Sequence, residues 1–251
     1  MRTFFILLHK ELKSIFLSPL AYVVMAFLMI VNGVPFILSL VAMQAGQRQH
    51  SLVYLTFNSG WFWMSFLVLF PLITMRLFAE EQKLGTIETL LTAPVRTVEV
   101  VAAKFTATLV FYIFLWIPSL ANFFVFESIA EEAAAYNVGS FYGSYLMLLL
   151  LGIHGIALGC LASSLTSNQI IAAVIAFSLV LLHFFLGFLH LFSTRLPAQV
   201  MERLTYTSSY EHMRSFSDGL IDSRPIVYYL TSALFVLILT HRVLDYRKWR
   251  V

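Results

Sequence analysis

Three histidines, His154, His183 and His190, are the only Asp, Glu, Lys, Arg or His side chains deep within the apolar runs of this 251-residue chain, which is 60% hydrophobic and 12% charged. An ionisable group at membrane depth is costly and is commonly kept for work, as a proton relay or a ligand for cargo. His183 and His190 stand seven residues apart and share a helix face. A metal pair wants closer spacing or a third ligand, and neither is visible, so packing or an interfacial position is the leading reading of these histidines. Asn58, Ser59 and Gly60 have the look of a nucleophile turn, but the first glycine of a GxSG pattern is missing and Ser59 sits where an ordinary helix would start. The GxxxxGK[ST] phosphate cradle is absent, so no nucleotide site, cofactor or metal is expected in this chain.

The remaining chemistry is ionic, and one stretch concentrates it. RLFAEEQKLGTIETLLTAPVR, Arg76 to Arg96, lies between two long apolar segments. Elsewhere the composition, with 24 Phe and 16% aromatic residues, is that of a polytopic membrane protein. A water-soluble domain of this make-up would expose more apolar surface than solubility tolerates, which excludes a soluble enzyme. Nucleic acid is not an expected partner. The single cysteine, Cys160, sits in an apolar run and reads as a small buried residue.

Crossing the hydrocarbon core takes about 20 apolar residues. Six segments qualify: 20–43, 54–75, 105–126, 141–165, 170–192 and, more marginally, 226–243. The expectation is therefore an all-α polytopic protein in one domain, residues 1–251, with six transmembrane helices, since backbone in lipid must satisfy its own hydrogen bonds. Residues 1–19 read as an amphipathic surface helix, with Phe4, Phe5, Leu8, Leu12, Ile15 and Phe16 on one side and His9, Lys10 and Lys13 on the other. With both termini inside, eleven of the 16 Lys and Arg fall inside and five outside. That asymmetry favours cytoplasmic termini. Residues 193–225 form the long outer loop, whose charges are read individually as solvated. Asn32, Pro35, Pro118 and Asn122 read as kinks and helix-to-helix hydrogen bonds within spans.

Within the charged stretch, Gly85 stops the preceding helix, Thr86 can cap a new one, and Pro94 limits it to about two turns. Ile87, Leu90 and Leu91 make a short apolar stripe on a helix too short to stand alone in water. Either the stripe dips into the headgroups or it is a peg for a partner. Glu80 and Glu81 are read as solvated charges or as partners for Lys10 or Lys13.

The order of parts, HKELKSIFLSPLAYV, then PLITMRLFAEEQKLGTIETLLTAPV, then two spans joined tightly by SSLTSNQ, resembles the ABC-2 family of ABC-transporter permeases over essentially the whole chain. The closing SYEHMRSFSDGLIDSRPIVYYLTSALFVLILTHRVLDYRKW further resembles the permease subunit of gliding-motility-associated ABC transporters. The resemblance implies that residues 80–95 form a coupling helix docked on a separate cytoplasmic ATPase. Glu80 and Glu81 would match its acidic pair, Gly85 and Thr86 the turn, Glu88, Leu90 and Leu91 the helix and Pro94 its end. It implies that the surface helix, with Lys10 and Lys13, touches the same partner.

Further implications are a dimer of permease chains, identical or related, and export driven by ATP and magnesium held on the partner. The protein would sit in a bacterial cytoplasmic (inner) membrane, in contact with membrane lipid. The resemblance also implies one or two short re-entrant helices over residues 193–225, whose charges would line an outer vestibule or face water, and leaves room for an accessory protein with a large outer domain. The competing reading is a membrane anchor or assembly subunit that docks the ATPase without moving cargo. The residues do not name a substrate.

Overall fold

A computed structural model describes residues 2–46, 50–87, 95–129, 138–192 and 197–248, and within them all regular structure is α-helical. The helices are α1 (Arg2–Phe16), α2 (Pro19–Gln44), α3 (Leu52–Phe57), α4 (Gly60–Thr74), α5 (Ala79–Lys83), α6 (Thr97–Ile129), α7 (Val138–Ser164), α8 (Gln169–Phe192), α9 (Ala198–Thr207), α10 (Ser209–Ser217) and α11 (Ser223–Lys248). Hydroxyl residues set several starts. Ser18, followed by Pro19 at the first helical position, accepts the Leu20 amide, Ser51 accepts that of Tyr54, and Ser59 that of Phe62. Ser59 is thus an N-cap of α4.

Five helices, α2, α6, α7, α8 and α11, are long and apolar enough to cross a membrane, and the chain is a multi-pass membrane protein. The segment expected as one span over 54–75 is instead broken at Asn58 and Ser59 into α3 and α4. The cause is local: Asn58 turns its amide back to donate to the Tyr54 carbonyl at 3.0 Å while Ser59 caps the next helix. The 15 residues of α4 rise about 22 Å, short of the roughly 30 Å hydrocarbon core.

Helix α7 is the axis of the bundle. Of its apolar window 72% is buried, against 22–33% for the other four long helices. Gly152, Gly155 and Gly159 explain why. A Cβ on these three would overlap Tyr112 of α6, Phe70 of α4 and the Thr74 side chain of α4, respectively. Their 3–4 spacing puts a smooth face on α7 against which α4 and α6 close, the small-residue packing that helices use where lipid supplies no hydrophobic drive. Tyr112 adds a hydrogen bond, its hydroxyl donating to the Leu148 carbonyl at 2.9 Å.

Two expectations about the ends of the bundle change. The 33 residues of α6 rise about 49 Å, so it extends past the hydrocarbon core. Helix α1 runs beside that helix rather than lying across it: Thr3 meets Glu99, Glu11 meets Lys104, and Phe16 packs on Phe111 and Phe114. The physical reason is that the partly buried Leu7, Ile15 and Phe16 find a hydrophobic partner in α6, with an ion pair between them. In the outer segment, where each residue taken singly is read as solvated, Ser209, His212, Met213, Phe216 and Ser217 are buried. They recur at i, i+3, i+4, i+7 and i+8, which gives α10 one inward face.

Candidate functional site

The corner between α4 and α5 is where the charged stretch begins, and a serine from α7 holds it. Ser163 Oγ accepts the amides of Phe78 and Ala79 at 3.0 and 3.1 Å and donates to the Met75 carbonyl at 3.2 Å. One hydroxyl therefore satisfies the backbone groups freed where α4 stops. Gln82 donates to the Ser164 carbonyl at 3.0 Å and ties α5 to the same end of α7.

On this corner stands a four-charge cluster. Lys104 Nζ of α6, only 3% exposed, lies 3.1 Å from Glu11 Oε2 of α1 and 3.0 Å from Glu81 Oε1 of α5. Lys10 Nζ, on the solvent side, lies 3.4 Å from Glu11 Oε1 and 3.3 Å from Glu81 Oε1. The phenyl ring of Phe78 closes the inner side, its centroid 5.6 Å from Lys104 Nζ. Two cations and two anions leave the cluster neutral, which is what makes a buried lysine tolerable. Burial pulls the Lys10 ammonium down, but Glu11 and Glu81 outweigh it and hold its pKa above the ordinary lysine value.

The cluster joins three elements at one point and keeps α5 fixed against α1 and α6. Beyond it, Gly85 ends α5 with φ of 68°, a left-handed conformation that glycine reaches without strain. Lys83, Leu84, Gly85 and Thr86 are exposed, and Ile87 turns back into the core. Of the residues expected to act, Lys10 and Glu81 pair with each other. Glu80 is half-buried beside them, and among the described residues neither it nor the exposed Lys13 makes an ion pair. Glu88, Leu90, Leu91 and Pro94 lie outside the described residues. Glu11 and Lys104 were not anticipated as site residues. The available signal was a single lysine flanked by apolar residues in VVAAKFTATLV.

A second polar cluster is built without charge pairs. His154 of α7 and His183 of α8 have ring centroids 4.6 Å apart. Ser232 Oγ of α11 is 2.9 Å from His154 Nδ1. A hydrogen-bonded chain runs from His183 Nε2 to Ser209 Oγ at 2.8 Å, on to Tyr229 Oη at 2.7 Å, and from there to His212 Nδ1 at 3.2 Å. His183 thus finds its neighbours in His154, Tyr229 and the α10 residues. The side chain of His190 lies outside the described residues. His212 was missed because residues 193–225 were read as solvated; the i, i+3, i+4 recurrence in SYEHMRSFS was the available signal. Burial holds the His212 imidazole down at about 4. No group of three or more His, Cys, Asp or Glu among the described residues is arranged to hold a metal.

Long apolar helices around a small-residue axis, with a buried ion cluster at one corner and a neutral polar cluster against the outer-segment helix α10, define a polytopic membrane protein. Residues 11–190 match the family described as ABC-2 family transporter protein, and the chain belongs to that family. Membership makes it a component of a membrane transporter and implies partnership with an ATP-binding subunit. No curated protein matches the chain.

Proposed function

We propose that this chain is the permease subunit of an ABC exporter, forming a translocation path as a dimer above two cytoplasmic ATP-binding subunits. Family membership supports the class, and the observation that carries the mechanism is the buried cluster of Glu11, Lys104, Glu81 and Lys10. It fixes the base of the peptide that leads to residues 85–96 against α1 and α6, so a push on that peptide is passed to whole helices instead of being lost in a loose loop. Leu84, 67% exposed, together with Lys83 and Thr86, presents the surface for the ATPase. Residues 86–93, with Glu88, Leu90 and Leu91, act as the coupling helix, Glu80 and Glu81 precede it, and ATP with magnesium is bound and hydrolysed on the partner.

Six crossings, counting α3 and α4 as the second, would put both termini on one side, and the distribution of Lys and Arg supports the cytoplasmic side of a bacterial inner membrane. The resemblance of the closing residues to gliding-motility permeases supports a subfamily in which an accessory protein can sit on the outer face.

The test is purification of the tagged chain in mild detergent with mass spectrometry of what co-elutes, repeated for the Glu80→Gln, Glu81→Gln double variant. A soluble ATPase in equal amount with the native chain, weakened by the variant, is the expected result. Elution with membrane partners only would favour a self-contained carrier or anchor.

A further inference from the structure

A cleft of about 470 Å³ opens between α1 and the α4–α5 corner, within the roughly 300–1,000 Å³ typical of small-ligand sites. Its two ends differ. At one end the lining is apolar, with Ala21 and Val24 from the first turns of α2 and Leu72 and Ile73 from the last turns of α4. At the other it carries six charges, of which Lys10, Glu11, Glu81 and Lys104 neutralise one another in the cluster described above. That leaves Arg76 and Glu80.

Arg76 is exposed and donates from Nη1 to Ser18 Oγ at 3.3 Å. Among the described residues it has no carboxylate partner, Glu80 has no cationic one, and the two do not pair with each other. The cleft thus presents one uncommitted cation and one uncommitted anion side by side, above an apolar floor at the level where α2 and α4 begin and end.

We infer that this cleft binds a phospholipid from the leaflet on the side of α1, one whose headgroup carries a phosphate and a primary ammonium. Arg76 takes the phosphate, since a guanidinium with several free donors is the side chain best matched to it. Glu80 takes the ammonium, and the glycerol and upper acyl chain lie over Val24 and Leu72. A soluble anion such as free phosphate would leave the apolar floor and Glu80 unused. An anionic lipid would satisfy Arg76 but meet Glu80 as a like charge. The inference does not depend on the direction of transport or on the ATPase.

The test uses the full-length chain, delipidated in detergent and titrated with dioleoyl phosphatidylethanolamine or phosphatidylglycerol, with bound lipid counted by native mass spectrometry. One phosphatidylethanolamine per chain is expected to be retained about tenfold more tightly than phosphatidylglycerol. Glu80→Gln should erase that preference while leaving both lipids bound, and Arg76→Gln should weaken both. Ser14→Trp, on the exposed face of α1 lining the cleft, should block both lipids without touching either charge. Equal retention of the two lipids by the native chain, or retention unchanged in all three variants, would reduce the lipid to ordinary annular contact and overturn the site. Loss of binding only when inorganic phosphate is added, with no dependence on Ser14, would mark a simple anion contact and overturn it equally.

Discussion

The two buried polar clusters solve the same physical problem in opposite ways. Around Lys104 the polar groups are formally charged and come from α1, α5 and α6, at the end of the bundle where α4 stops. Around Tyr229 they are neutral imidazoles and hydroxyls, and they fasten α10 to α8 and α11 on the outer-loop side. An ion cluster is rigid in composition, because removing one member leaves a bare charge in a poor dielectric. A hydroxyl chain is rigid in geometry, but each member can be replaced at the cost of a hydrogen bond. The difference places the strict brace beside the peptide proposed to receive force, and the more forgiving latch where an outer hairpin is held down.

The contrast is broken most sharply at Lys104. Lys104→Met strands Glu11 and Glu81 and should destabilise the chain by about 3–5 kcal/mol, read as a lowered midpoint of unfolding in detergent. Adding Glu11→Gln and Glu81→Gln to it should restore most of that loss, because no buried charge is left uncompensated and the remaining Lys10, 57% exposed, is solvated by water. If the triple variant were as unstable as the single one, packing and not charge balance would be what the cluster supplies.

In the neutral cluster, Tyr229→Phe removes the hydroxyl that joins Ser209 to His212 and should cost about 1–3 kcal/mol in the same assay. A loss as large as that of Lys104→Met would erase the distinction. Acid should probe the same cluster. With the folded His212 held at about 4 against an ordinary 6.5, the unfolded chain binds more protons between those values. Its contribution to stability therefore falls as pH drops through that window and is flat above it. Unfolding temperatures at pH 7.5 and pH 5 should differ more for the native chain than for His212→Gln. The smallest effect is expected from Lys10→Gln, since Lys10 is 57% exposed and its pairs are screened: under about 1 kcal/mol, and still less in high salt.

Much of the fold was legible because lipid imposes a crude rule on sequence. Long apolar runs announce α2, α6, α7 and α8 at once, and α11 more marginally. The break between α3 and α4 was not, since Asn58 and Ser59 carry no proline or charge and act only through side-chain hydrogen bonds to the local backbone. The position of α1 was hidden too. Its amphipathic pattern shows that one face is buried but not whether lipid or α6 covers it. In the site, Lys10 and Glu81 were readable as a pair across the chain. Lys104 was written plainly as a lone charge, but its partners are set by tertiary contact: Glu11 lies 93 positions away in the sequence. His183 was visible as an odd residue; His212 became its neighbour only through the folding of the outer segment.

The central claim is that the Glu81 corner transmits the work of a separate ATPase, and the most direct measurement is ATP turnover by the co-purified complex in lipid nanodiscs. The native chain is to be compared with the Glu80→Gln, Glu81→Gln variant, with the amount of bound ATPase measured in each. The account predicts that turnover per bound ATPase changes in the variant, because the brace no longer opposes or passes on the movement of residues 86–93. Identical binding and identical turnover in the two would contradict it.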